Sequence, residues 1–281
     1  MYGEIFLIVL ALIWVFFASV QDFKKRIVSD WLSFSFIIFA LFFRFFYSLF
    51  ESDGFVFFYQ GIFGFLIFFA LGNILYYARF FGGGDAKLMM AFGAVLPLTN
   101  SFYSNIEILI TFFVVFLFAG SFYGLFWSVF VIFYSGNFKL YGKEFIKETK
   151  KSKFLYYFLI VLGLVFIFSS AFDAIFLYFG IFVLIIPLLY FHSKVVDNSF
   201  LVKRVKTSDL EEGDWIYKDI KLKGKILSPS WSGLNKTQIR EIKKIYKTIQ
   251  IRHGIPFVPV FLMSLIVVAY LYFNGIWFNI F

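Results

Sequence analysis

The sequence of 281 residues contains no cysteine, only two histidines and only five prolines, and just 15% of its residues are charged. The first absence excludes disulfides, thiolate metal sites and a cysteine nucleophile together. With His192 and His253 as the sole imidazoles, nothing suggests a histidine-rich metal centre, and no cofactor is expected. Soluble domains carry about 25% charged residues, so the scarcity of charge argues against that class. The space is filled by phenylalanine, 48 residues of it, in a composition that is 61% hydrophobic. Such a chain reads as an α-helical polytopic membrane protein.

Apolar runs lie at about 4–20, 31–50, 54–79, 85–99, 105–135, 154–171, 174–191 and 256–274. Each approaches the roughly 20 residues needed to cross a bilayer, although 85–99 is short and 105–135 long. The first run carries Glu4 and no basic residue precedes it, so it lacks the basic start of a cleaved signal and is read as a helix of the mature protein. The pair 154–171 and 174–191 is read as a hairpin turning at Ser169–Asp173, since a single helix would far exceed a bilayer. This gives about eight transmembrane helices, with both termini outside. In that orientation the loops 21–30, 80–87, 136–153 and 192–255, with Arg79 at their border, hold 25 of the 26 basic residues. Arg44 alone falls within a span. This is the pattern of the positive-inside rule. It accounts for the net charge of +9 without nucleic acid, because the charge is spread over every cytoplasmic loop.

Residues 192–255 lose the phenylalanine bias and read as a small α+β cytoplasmic domain before the last helix. TSDLEEGDWIYKDIKLKGKIL suggests two short strands around turns at Glu212-Gly213-Asp214 and Lys223-Gly224. LNKTQIREIKKIYKTIQ suggests a helix with Asn235 as N-cap and Gln238 three residues on. Its apolar stripe is Ile239, Ile242, Ile245, Tyr246 and Ile249. The chain thus divides into a five-helix core over 1–135, a basic loop and additional hairpin over 136–191, the domain 192–255 and a C-terminal helix in 256–281.

The stretch RFFGGGDAKLMMAFG (79–93) breaks the apolar pattern with three glycines and Asp85. Glycine is a poor helix former and an aspartate in hydrocarbon is costly. The bland reading is a flexible turn with Asp85 as the N-cap of the fourth span. Asp22, in VQDFKKRIVSDWL, falls at the same membrane face, where it could equally be a solvated carboxylate balanced by Lys24, Lys25 and Arg26. Asp30, with Ser29, reads as the cap of the second span. Two carboxylates brought close cannot both stay ionised and share one proton. The ionised member can activate a water while the protonated one donates to a carbonyl oxygen, which is peptide hydrolysis without metal or nucleophilic side chain. Gly82, Gly83 and Gly84 would let the backbone unwind, so that an extended substrate strand lies against it.

Gly82-x-Gly84-Asp85 resembles the GxGD motif of the membrane aspartyl proteases, which include presenilin, signal peptide peptidase and the type IV prepilin peptidases. Asp22-Phe23-Lys24-Lys25-Arg26-Ile27-Val28-Ser29-Asp30 is similar to the stretch after the first helix of archaeal prepilin and preflagellin peptidases. Gly254-Ile255-Pro256-Phe257-Val258-Pro259 is similar to a signature near the C-terminus of archaeal members. The resemblance covers the first four or five spans, the soluble domain and the final span, and 137–191 looks like an addition. It implies that Asp22 and Asp85 are the catalytic pair of an aspartic endopeptidase, with Gly82–Gly84 at the substrate. It further implies that class III signal peptides of prepilins or pre-archaellins are cleaved at the cytoplasmic face. Bacterial relatives often carry a cysteine tetrad and methylate the new N-terminus. This chain has no cysteine, so no N-methyltransferase activity is expected. No Pro-Ala-Leu motif occurs, which sets the presenilin-like alternative behind. An ion- or proton-coupled transporter, with Asp22 and Asp85 as ion sites, and a structural platform for a surface filament remain the readings outside proteolysis. Because the cytoplasmic face is basic, the basic leader of a substrate would need acidic groups, either Asp30 near the site or Asp209, Glu211, Glu212 and Asp214. The latter are favoured as the densest cluster, against the bland reading of a solvated turn neutralised by neighbouring lysines.

Overall fold

A computed structural model describes residues 2–50, 52, 54–222, 224–230 and 233–276. The chain forms two compact units, Met1–Leu125 with Ile255–Phe281, and Phe126–Gly254. All eight apolar runs are helical, in the order α1 (Tyr2–Lys25), α2 (Asp30–Ser48), α3 (Val56–Tyr77), α4 (Gly83–Val95), α5 (Phe102–Ser135), α7 (Lys153–Ser169), α8 (Ile175–Val195) and α10 (Val258–Phe273). Two further helices, α6 (Phe138–Lys151) and α9 (Lys236–Ile245), are amphipathic. Among the described residues, five helices are long and apolar enough to cross a membrane, or six if α6 and α7, bent by 89°, count as one span. This is a multi-pass membrane protein. By length, α4 with 13 residues and α10 with 16 fall short. At 1.5 Å per residue α4 reaches about 20 Å, against a hydrocarbon core of about 30 Å.

The first unit is built around α4. Nearly every residue from Ala86 to Val95 is buried, and the helix packs against α1, α2 and α3. Its approach to α3 is set by a glycine pair: a Cβ on Gly64 or on Gly93 would stand 2.4 Å from the other residue's carbonyl oxygen. Side chains of any size there would push the two helices apart. On the other flank, Phe92 stacks on Phe112 at 4.7 Å and on Phe261 at 5.5 Å, which joins α4 to α5 and α10.

The end of α4 explains the isolated arginine. Arg44 is completely buried. Its guanidinium donates to the carbonyls of Ala94 at 2.8 Å, Val95 at 2.9 Å and Phe57 at 2.8 Å, and to Pro97. It also lies 4.3 Å from the Phe57 ring centroid. The last carbonyls of a helix have no partner of their own and carry its negative dipole end. Arg44 satisfies them, so α4 can stop inside the protein and give way to the irregular Leu96-Pro97-Leu98.

In the second unit, α7 and α8 form the expected hairpin. Gly163 and Gly180 face each other where it crosses, with a Cβ on Gly180 only 2.9 Å from the Gly163 carbonyl. The basic loop expected at 136–153 is instead largely the helix α6. Tyr141 and Phe145, one turn apart, pack on the cluster of Ile132, Val195, Val196 and Phe200. Lysine–glutamate pairs one turn apart, Lys147–Glu144 and Lys151–Glu148, support the helix.

Residues 202–252 form a small α+β region, and α9 begins as expected: Asn235 and Gln238 form a reciprocal capping box. It ends earlier. Ile249 lies on strand β5 (Thr248–Arg252) instead of the helical stripe, because Thr248–Arg252 alternates exposed and buried residues with the period of a strand. Ile245 is exposed rather than part of the stripe. β5 pairs antiparallel with both β1 (Val202–Lys206) and β2 (Trp215–Ile216). β3 (Ile220–Leu222) and β4 (Lys225–Leu227) form a separate hairpin. Gly213 and Gly224 hold positive φ, 93° and 78°, at the two expected turns, whereas Lys223 lies outside the described residues. Ile216, Ile239, Ile242, Ile249 and Ile251 share one small core.

Arg44→Met should lower stability by on the order of 3 kcal/mol, because several buried carbonyls lose their donor and the replacement offers none. Thermal unfolding of the purified protein in detergent measures this. An unchanged transition would mean that α4 does not depend on this cap.

Candidate active site

Asp22 occupies the last turn of α1 and is buried, 6% exposed. The helix ends three residues later because Arg26 takes a left-handed conformation, φ 60°, with its N–H donating to the Asp22 carbonyl at 2.9 Å. Non-glycine residues adopt this region infrequently, and a helix end is its usual setting. The next turn folds back. The Gln21 side chain accepts the Ser29 N–H at 3.2 Å, and Val28 is buried.

Val28 meets the glycines. A Cβ on Gly84 would lie 3.2 Å from the Val28 Cβ, tighter than ordinary side-chain packing. Gly84 is therefore a close-approach residue, and together with Gly83 it lies within the first turn of α4. This corrects the expectation of an unwound backbone, since Gly82 alone is extended, at φ −71° and ψ 165°. The glycines remain open on their outer side: a Cβ on Gly82 would touch only the Asp85 carboxylate at 3.4 Å, and one on Gly83 only the Tyr76 ring at 4.0 Å.

Asp85 is the third residue of α4 rather than its N-cap. Its carboxylate reaches back to accept the Gly82 N–H at 3.3 Å. Asp22 is seated on a different helix: Val258, the first residue of α10, donates its N–H to the Asp22 carboxylate at 2.9 Å. The backbone of Phe257 also lies against that carboxylate. Each carboxyl group thus sits at the N-terminus of a short helix, where unpaired N–H groups and the positive dipole end favour negative charge. The two groups lie within electrostatic reach of each other. The structure therefore brings together the pair singled out in the sequence.

Two neighbours complete the electrostatics: Arg26, one of the three basic residues expected to balance Asp22, and Tyr123, which did not stand out in the sequence. The Arg26 guanidinium and the Tyr123 hydroxyl both interact with the Asp22 charge. Burial pushes the Arg26 guanidinium below the usual arginine range, and the charge on Asp22 pulls it back up. Tyr123 is one of 17 tyrosines and carries no local signal. The α10 contact did carry one, since Pro259 near the start of a helix marks its N-terminus.

Asp30 lies apart from this pair. It forms a 2.5 Å ion pair with Lys87, which ties the start of α2 to α4, and Ser29 makes no side-chain cap bond. Two acids of the turn read as a receiver for a basic leader are engaged within their own domain. Glu212 accepts the Lys236 N–H at 3.1 Å and pairs with its ammonium at 3.4 Å. Asp214 accepts the Glu211 N–H at 2.9 Å, and burial pushes its carboxyl above the usual range.

With this geometry in place, comparison with known proteins identifies the surroundings of both aspartates. Residues 9–141 match the type IV leader peptidase family. The chain is 36% identical over 83 residues to a preflagellin peptidase of Methanocaldococcus jannaschii, an alignment covering 30% of this chain and 35% of that protein. It is 38% identical over 101 residues to the prepilin peptidase EppA of Methanothermobacter thermautotrophicus, covering 36% of this chain and 26% of that protein. The chain therefore spans about a third or less of the length of these curated relatives. No solved structure matches. The leader peptidase match covers the part of the chain that carries Asp22 and Asp85. The leader peptidase match stops at 141, so the likeness read at Gly254–Pro259 and in the soluble domain lies outside it.

If Asp22 anchors α10, its acceptor oxygen matters for stability separately from its charge. Asp22→Asn keeps an oxygen for the Val258 N–H and should change stability by about 1 kcal/mol or less, whereas Asp22→Ala orphans it and should cost roughly 1–3 kcal/mol. Thermal unfolding of both variants measures the difference, and equal transitions would show that the hydrogen bond does not hold α10.

Proposed function

We propose that this chain is a membrane aspartyl endopeptidase that removes class III signal peptides from prepilins or pre-archaellins. In this reading eight helices lie in the membrane, the N-terminus is outside, and Asp22 and Asp85 act at the cytoplasmic face. The observation that carries the proposal is the convergence of two carboxyl groups, from helices distant in the chain, inside the stretch that matches the leader peptidases. The names of the two relatives supply the substrate class.

The asymmetry of the pair supports a division of labour. Asp22 accepts the buried Val258 N–H at the positive dipole end of α10, an arrangement that suits a carboxylate. It is the base that takes a proton from the attacking water. Asp85, with the longer Gly82 contact at 3.3 Å, holds the shared proton and donates it to the scissile carbonyl oxygen. The water oxygen bonds to the carbonyl carbon, giving a tetrahedral diol. The C–N bond then breaks as a proton passes to the leaving amine and the new carboxyl group forms. The Gly82–Gly83 edge, open on its outer side, offers backbone groups against which a substrate strand can extend. The hydrophobic helix of the substrate would rest in the bilayer, leaving the leader at the surface. Without cysteine, the chain is proposed to lack N-methyltransferase activity.

Membranes expressing the chain should cleave prepilin or pre-archaellin precursors, and Asp22→Asn and Asp85→Asn should each reduce cleavage by at least about 100-fold while insertion is unchanged. The pH profile should be bell-shaped, rising as the first carboxyl of the pair ionises and falling as the second does. Near-parental cleavage by either variant would remove that aspartate from the chemistry.

A further inference from the structure

The helix α6 presents one face that its own protein leaves uncovered. Its inner face is firmly held. The Tyr141 hydroxyl and His192 Nδ1 are 2.9 Å apart, and His192 Nε2 reaches the Ser128 hydroxyl at 2.7 Å. The buried Glu148 pairs with Lys151 at 2.7 Å and with Lys194 of α8 at 3.0 Å. These contacts fix the rotation of α6 about its axis. Lys139, Lys143, Lys147 and Lys150, spaced four, four and three residues apart, then fall on the opposite side, and all are exposed. Lys147 pairs with Glu144 at 2.7 Å, while no carboxylate among the described residues pairs with Lys139, Lys143 or Lys150. Lys143, Ile146, Lys147, Lys150 and Lys151 line an open groove of about 430 Å³.

The direction of α6 indicates what covers this face. It is bent by 89° from α7, which packs along α8 in the hairpin that crosses at Gly163 and Gly180. The segment Ile175–Phe200 is long and apolar enough to cross a bilayer. With the hairpin upright in a bilayer, a helix perpendicular to it at its basic end would lie in the plane of the membrane surface. Phe138, Leu140 and Ile146 are exposed beside the lysines. Apolar side chains at that level meet the acyl boundary, and lysines extend to the phosphates. A nucleic acid would match the charge but would leave these apolar groups in water.

We propose that the Lys139–Lys143–Lys147–Lys150 face of α6 binds the phosphate-bearing headgroups of anionic lipids in the membrane surface. The inference rests on the placement of the α7–α8 hairpin in the bilayer and not on the peptidase reading. It assigns 136–153 a role as a surface anchor that holds the hairpin at a fixed depth in anionic membranes.

The absence of native cysteine allows a clean test on the full chain. Ile146→Cys, labelled with an environment-sensitive fluorophore, is reconstituted into nanodiscs of phosphatidylcholine alone or with phosphatidylglycerol, and quenching by uncharged acrylamide is measured. The label should be several-fold better shielded in the anionic discs at low salt, and the difference should shrink as salt screens the headgroups. Replacing all four lysines with Gln should abolish the difference, and replacing them with Arg should preserve it. Equal quenching of the parent label in the two lipid compositions, which needs no lysine variant, would overturn the proposal. So would a difference that survives the Gln replacements.

Discussion

The hydrogen bond from the Val258 N–H to the Asp22 carboxylate joins residues 236 positions apart and fixes the geometry on which the candidate site depends. A carboxylate buried at the end of an apolar helix is costly unless its lone pairs are met. The N-terminus of α10 meets them with an N–H and the positive end of its dipole. In return Asp22 satisfies one of the N–H groups that every helix start leaves open. The interaction therefore places α10 against α1 and holds the carboxylate at a defined position.

Asp85 is positioned by a second helix start, and there the constraint comes from the opposite end. α4 spans only 13 residues, and it can begin at the depth of Asp22 because it also ends early. Arg44 makes that ending possible by taking up the carbonyls of Ala94, Val95 and Pro97 in the buried interior. The contact of Gly84 with Val28 then sets the turn after α1 directly against the first turn of α4. Two short helices, one capped by a buried arginine and one received by a buried aspartate, thus converge their N-termini on a single site. That arrangement concentrates positive dipole ends around two carboxyl groups and suits the proposed pair, which would hold one negative charge between them.

Much of this was legible because charge is so scarce in the chain. An aspartate beside three glycines between two apolar runs is conspicuous, and Asp22 stood out by falling at the same expected face. The apolar runs gave the helices, and Asn235 with Gln238 marked the start of α9 through a purely local signal. The hidden features depend on distant partners. Arg44 bonds to backbone carbonyls, which leave no trace in residue identity, so its role could not be read. Tyr123 reaches Asp22 only through the packing of α5. Ile249 fits a helical stripe by spacing, but the pairing of β5 with β1 and β2 places it on a strand. In 136–153 the lysines suggested a loop, although Tyr141 and Phe145 supply an apolar side one turn apart on which α6 packs.

The central claim is that the Asp22 and Asp85 side chains face one another. A chain without cysteine permits a direct measurement: the double variant Asp22→Cys/Asp85→Cys, treated in membranes with a short bifunctional thiol reagent and analysed by mass spectrometry after proteolysis. Side chains that face one another should give a peptide pair bridged between positions 22 and 85, formed within one molecule and independent of protein concentration. Modification of both cysteines without any bridge between them would contradict that arrangement.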